Sequence, residues 1–316
     1  MVGRESLGPA RPLSGVTSHR AFGPFLVAIA ALLWATDALF RFPSANQLDP
    51  ALLVFIEHAV ALAFLAPWVL FRYRRGLFRM STAAWLCAIF AGAGGSALAT
   101  LFFTASFRYV NPSVAILLQK LQPILVVALA FLFLGERPRR TFFGWALIAI
   151  AAGLILSFPD LKFGFITHDL DPRSRGVLYS LAAAGIWALS TIVGKVLTRD
   201  AEADRATFWR FAFGLLTLGL ILVLQPNPVD GSALLNPSLR ANLAYMALVP
   251  GLAAMLIYYA GMRRTSAGAT TLAELAFPVG AVIINARFLG LPLDPIQVGA
   301  GIVLLFAVTR ISLTRN

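Results

Sequence analysis

Runs of about 20 mostly apolar residues, separated by short polar connectors, follow one another along this chain. Ten such runs predict ten membrane-spanning helices: Pro24 to Phe42, Pro50 to Phe71, Ala83 to Phe107, Pro112 to Leu134, Thr141 to Phe158, Gly176 to Leu197, Ala206 to Leu224, Ala241 to Met262, Ala267 to Leu289 and Pro295 to Leu313. The longest connectors are "PDLKFGFITHDLDPRS" and "PNPVDGSALLNPS". Residues 1–22, rich in Ser, Gly, Pro and Arg, read as a tail. The apolar run after them is too long for a cleavable signal peptide and lacks a small-residue cleavage pattern.

The pattern also repeats. With a shift of 155 residues, "LFFTASFRYVNPSVAILLQKLQPILVVALAFLFLGE" lies over "LIYYAGMRRTSAGATTLAELAFPVGAVIINARFLGL" without a gap. Arg108 then meets Arg263, Pro123 meets Pro278, Gly135 meets Gly290 and Gly144 meets Gly299. A shift of 153 brings Trp34 onto Trp187, Phe55 onto Phe208 and Glu57 onto Arg210. The chain is therefore expected to hold two copies of a five-helix unit, residues 23–160 and 176–316, joined by an external linker at 161–175. Five is odd, so the second copy starts on the opposite side of the membrane, which makes an inverted repeat. Transporters are the proteins that use this arrangement most, with a substrate site near the bilayer midplane.

Composition agrees with the spans and narrows the partners. Of 316 residues, 59% are hydrophobic and 13% charged, with a mean hydropathy of +0.80, far from the balance of a soluble domain. The net charge of +12 comes from basic connectors rather than from a basic, aromatic-interleaved domain, so nucleic acid is not an expected partner. Of the 26 Lys and Arg, 17 fall on one side of the expected topology, in the tail, "FRYRRGLFR", "ERPRR" and the connectors around Lys195, Arg263 and Arg310. Seven fall on the other: Arg41, Arg108, Lys162, Arg173, Arg175, Arg240 and Arg287. Positive charge marks the cytoplasmic side, which puts both termini there. Cys87 is the single cysteine, so no intramolecular disulfide forms. The sequence offers no Cys/His metal cluster and implies no cofactor.

A Trp in the first helix, a Pro in the middle of the fourth, "FLGE" or "FLGL" at its end and a Gly opening the fifth, in both halves, resemble the drug/metabolite transporter superfamily in its EamA type. The likeness covers about residues 24–313 and rests on the order and spacing of these motifs together. It implies a multi-pass protein of a bacterial inner membrane that exports amino acids or similar small metabolites by alternating access. Two departures stand out: Leu291 replaces the acid of "FLGE" in the second copy, and Glu57 stands where the family commonly has the cation that Arg210 supplies.

The candidate substrate residues form two sets. Lys120 lies nine residues past Asn111, about 14 Å along a helix and near the middle of a core about 30 Å thick. A charge at that depth costs at least about 2.5–3.5 kcal/mol unless it meets a partner or a wet cavity. Gln119, Gln122 and Glu274, which the repeat matches to Gln119, lie at comparable depth. The cluster reads either as a Lys120–Glu274 pair locking two helices or as substrate contacts, the cation and anion suiting a zwitterion. Trp34, Trp187, Phe102, Phe103, Tyr258 and Tyr259 form the aromatic set, which would suit a flat substrate side chain if it faces the cavity.

Asp37, Glu57 and Glu274 are candidates for carrying a coupled proton, and Asp37 and Glu57 also for pairing with Lys120. His58 reads as a packing or hydrogen-bonding residue. Arg210, four residues past Ala206, is expected to snorkel to the cytoplasmic face. Pro123 and Pro278 are candidate hinges. Drug and sugar-phosphate carriers are rival readings, the latter disfavoured by the lack of clustered midplane cations. An intramembrane enzyme is remote, because His19, His58 and His168 are scattered. Reporter fusions should place "FRYRRGLFR" and "ERPRR" in the cytoplasm and "FITHDLDPRS" outside, and a cytoplasmic reporter at His168 would overturn the inverted repeat.

Overall fold

The computed structural model describes residues 16–125, 127, 139–162, 171–226, 229–265 and 267–314. Within them all regular structure is helical, and eight helices are long and apolar enough to cross a membrane. The first span breaks into α1 (Val16–Ala35) and α2 (Asp37–Ala45). α1 starts inside the stretch expected as a tail and runs through Pro24, since a proline costs one hydrogen bond without having to start the helix. At the break the Thr36 hydroxyl donates to the Leu33 carbonyl at 2.7 Å, a side-chain bond of the kind that bends helices. Then come α3 (Pro50–Tyr73), α4 (Thr82–Phe90), a π-helical turn over Ala91–Leu98, and α5 (Ala99–Ser106).

α6 (Pro112–Leu118) opens the fourth span, of which residues 126 and 128–138, including "FLGE" and the start of "ERPRR", lie outside the described residues. α7 (Arg140–Ser157) follows; the middle of the next connector, with "FITHDL", is also outside them. The second half has α8 (Pro172–Asp200), α9 (Ala203–Leu224), α10 (Pro237–Met246), a second π turn over Ala247–Ala253, α11 (Ala254–Met262), α12 (Ala267–Ala273), α13 (Ala276–Phe288) and α14 (Pro295–Thr314).

Hydrogen bonds gather the connectors at two ends. At one end Arg72 pairs with Glu202 at 2.5 Å, Tyr73 donates to Asp204 at 2.6 Å, Arg205 to the Gly76 carbonyl at 3.2 Å, and Lys195 to the Met262 and Thr265 carbonyls at 2.6 and 2.9 Å. At the other, Arg108 donates to the carbonyls of Ala45 and Leu48 at 2.7 and 2.8 Å, Asn111 to Leu291 at 3.2 Å and Gln297 to Leu156 at 2.9 Å. Helices leaving this second end start on Asx–Pro. Asp49, Asn111, Asp171 and Asn236 each accept backbone N–H bonds ahead of a proline in the first turn, and Asp294 does the same for Gln297. The side chain satisfies a free donor and the proline has none to lose.

α14 lies along α7, and between them the pair buries Ala149, Leu156, Leu304 and Val308. Their outer faces, with Phe143, Leu147, Ile302 and Phe306 exposed, suit lipid. Without a hydrophobic drive between helices in a bilayer, close approach at small residues has to hold them together. "AGAGGSALAT" works in this way. A Cβ on Gly92 would lie 2.4 Å from the Phe213 Cβ and 2.7 Å from the Arg210 carbonyl oxygen, and one on Gly95 would lie 2.0 Å from the Ser190 Oγ. Gly92→Ala should therefore cost about 1–3 kcal/mol through overpacking, read as an early loss of the monodisperse peak on heating in detergent. Gly144→Ala, which meets nothing within 4 Å, should be neutral.

Candidate functional site

Matched prolines shape the centre of both halves. Pro123 has no N–H to offer the carbonyl of Gln119, and the Gln122 N–H takes that carbonyl instead, tightening Gln119–Leu121 into a 3-10 turn. Pro278 does the same to Glu274, whose carbonyl accepts from the Phe277 N–H at 3.1 Å. The prolines do break their helices, and the breaks carry Gln119, Lys120, Gln122 and Glu274 into one cavity of about 210 Å³. Among the described residues the lining comes from α1–α3, α5, α8–α11, α13, both π turns and the residues at the two proline breaks, with none from α7 or α14.

The aromatic set largely faces this space. Trp34 lies against Tyr258 with ring centroids 5.0 Å apart, and Trp187 meets Phe103 edge-on at 5.3 Å while its indole N–H donates to the Gly95 carbonyl at 2.8 Å. Tyr259 lines the wall too, as do Phe277 and Phe211, two aromatics that sequence reasoning passed over. Phe102 points elsewhere and stacks on Tyr179 at 5.7 Å.

The charged residues sort differently from their expected pairing. Lys120 is buried but makes no ion pair within 4 Å with any described residue; its Nζ sits 5.5 Å from the centroid of Phe277. Glu274 accepts from the Tyr258 hydroxyl at 2.7 Å. Of the two readings of this cluster, the Lys120–Glu274 pair is not made within 4 Å; the Phe277 ring stands at the one group and the Tyr258 hydroxyl at the other. Asp37 and Glu57 do not pair with Lys120 either. Both hold Arg41, which donates to Asp37 at 2.5 and 3.0 Å, to Glu57 at 2.8 and 3.0 Å and to Thr104 at 2.9 Å.

Arg41 was counted with the external connectors, yet it is buried and lines the cavity. Its i, i+4 spacing from Asp37 was the signal that could have placed it. Arg210 is a second correction. It is buried rather than snorkelling, donating to Ser96 at 2.9 Å, Ser190 at 3.0 Å and Tyr259 at 3.2 Å. α9 sits against the glycines of the first π turn, so the side chain reaches three hydroxyls more easily than the membrane surface. His58 donates from Nδ1 to the Val54 carbonyl at 2.8 Å and meets Phe211 edge-on at 5.1 Å, as a hydrogen-bonded packing residue does.

A helical membrane protein with a central cavity carrying charges and aromatic rings is built as a solute transporter. The sequence profile of the EamA-like transporter family matches residues 21–158 and 174–313, and the chain belongs to that family, within the drug/metabolite transporter superfamily. It is 30% identical over 300 residues to the riboflavin transporter ImpX of Fusobacterium nucleatum, covering 92% of this chain and 97% of that one. It is 26% identical over 275 residues to the uncharacterized transporter YwfM of Bacillus subtilis (85% of this chain, 86% of that one). Identity to the uncharacterized inner membrane transporter YhbE of Escherichia coli is 22% over 208 residues, 66% of this chain and 64% of that one. One solved crystal structure shares the fold, with a TM-score of 0.57 and 23% identity over 95% of this chain and 96% of that chain.

Removing the cation at the centre of the acidic pair should be severe. Arg41→Met leaves two carboxylates buried and should cost about 3–5 kcal/mol, seen as lost folded protein in a detergent size-exclusion assay. The triple variant Arg41→Met, Asp37→Asn, Glu57→Gln should recover most of the yield.

Proposed function

We propose that the chain carries a small organic solute with a flat aromatic ring across a bacterial inner membrane, by alternating access around the central cavity. The observation that carries this reading is the aromatic wall, Trp34 with Tyr258 and Trp187 with Phe103, around a polar floor of Gln119, Lys120 and Gln122. Aromatic faces and edges select flat rings, and a few convergent polar groups orient them. The relative at 30% identity is named for riboflavin, a solute of this shape. Export of amino acids is the second reading. It is favoured by Lys120 and Glu274 standing in one cavity without pairing to each other, a cation and an anion for a zwitterion.

The moving parts in this reading are two inverted five-helix units, residues 23–160 and 176–316, ten spans in all, with both termini cytoplasmic. Two family matches and connectors that alternate between the two ends support it. Pro123 and Pro278 are the proposed hinges, since each already lacks one backbone hydrogen bond. Asp37, Glu57 and Glu274 are the groups through which a proton would be coupled.

Proteoliposomes loaded with the full chain should take up riboflavin saturably, with aromatic amino acids competing better than aliphatic ones. Uptake of aliphatic amino acids without any of riboflavin would overturn the flat-ring reading. Lys120→Met should fold and reach the membrane yet transport about tenfold less, the loss of one charge-assisted contact, and adding Glu274→Gln should not restore it. If Glu57 or Glu274 carries a coupled proton, its change to Gln should abolish the response to an imposed proton gradient while binding survives. Parent transport that ignores the gradient would dismiss coupling.

A further inference from the structure

Arg210 is a buried cation with no counter-ion within 4 Å among the described residues. A guanidinium cannot shed its charge by losing a proton, and a charge removed from water needs a partner of opposite sign or a polar cavity. Its partners within hydrogen-bonding distance are the neutral hydroxyls of Ser96, Ser190 and Tyr259, taken by Nε and Nη1; among the described residues no carboxylate lies within 4 Å of it. Arg41 differs in this respect, with two carboxylates of its own.

The hydroxyls around Arg210 leave one of its amino groups without a bond. Nη2 has no hydrogen-bond partner among the described residues, and it lies 3.1 Å from where a Cβ on Gly95 would be, beside the Ser190 side chain that packs on that glycine. The guanidinium lines the same cavity as the aromatic wall. Hydroxyls that fix Nε and Nη1 orient the planar fork, and an oriented fork binds a carboxylate or phosphate oxygen pair with geometric specificity.

From this geometry we infer that Arg210 receives an anionic group of the transported solute, so that the cavity takes flat aromatic anions in preference to their neutral counterparts. The inference rests on the flat-ring reading above and adds the charge of the substrate to it. Ser96, Ser190 and Tyr259 are positioning residues for the guanidinium, and Lys120, a cavity cation that likewise has no ion pair within 4 Å among the described residues, is the internal control.

The test is isothermal titration calorimetry of the full chain in detergent with 1-naphthoate and with 1-naphthamide, which share ring and shape and differ in charge. The parent protein should bind the carboxylate about tenfold more tightly, the gain of one charge-assisted pair. Arg210→Gln should bring the two within about twofold of each other, and Arg210→Lys should keep part of the preference because charge without the fork remains. Equal binding by the parent would overturn the assignment and leave the flat-ring reading standing, whereas absence of binding by both compounds would sink the two together. A preference that survives Arg210→Gln but disappears in Lys120→Met would also overturn it, by moving the anion contact to the lysine. The parent measurement needs no variant, so a poorly folding Arg210→Gln does not shield the proposal.

Discussion

Hydrocarbon solvates charge so poorly that each ion in the middle of a membrane protein must be answered by something the fold provides. Among the described residues three cations are buried around the cavity, and each is answered differently. Arg41 receives two carboxylates and a threonine hydroxyl. Lys120 has the face of Phe277 and an opening to the cavity. Arg210 has three hydroxyls and no anion within 4 Å among the described residues. Only the first answer is an ion pair, and the role shifts accordingly from holding helices together to leaving charge without an anion within 4 Å among the described residues. A fully neutralised arginine such as Arg41 costs much to disturb and gains little from a ligand, while the other two have bonding capacity to spare.

The same shortage of water governs the backbone. A helix crossing lipid must satisfy its own N–H and C=O groups, so irregular backbone survives only where protein or a cavity surrounds it. Here the irregular pieces converge: two 3-10-like turns forced by Pro123 and Pro278, and two π turns over Ala91–Leu98 and Ala247–Ala253. All four contribute to the cavity wall. Each proline transfers its lost bond to an N–H one residue earlier, so the chain turns its polar side chains inward without stranding a carbonyl. The first π turn frees the Gly95 carbonyl for the Trp187 indole, and its glycines let α9 approach closely enough to bring Arg210 to the site. Regular helices such as α7 and α14 stand outside, with apolar faces suited to lipid.

The eight long apolar helices were legible in the sequence because length and apolarity are local properties. The Asx–Pro starts found in the structure are just as local, since the capping side chain and the proline are neighbours in the chain. That Lys120 and Glu274 reach the centre followed from counting residues along a helix of known rise. Counting failed for Arg41 and Arg210. Depth along a helix gives no information about azimuth or about which neighbour approaches, and these two arginines differ from surface ones only in what lies beside them. Asp37, Glu57 and Thr104 come from separate helices, and so do Ser96, Ser190 and Tyr259. A residue's partner in a bilayer is set by helix packing, which depends on small residues such as Gly92 and Gly95 meeting their counterparts at close range. The sequence by itself therefore determined that charge is carried into apolar spans. Only the tertiary structure decided which charges are neutralised within the protein and which are left facing the cavity, because that depends on distances of a few ångströms between elements far apart in the chain.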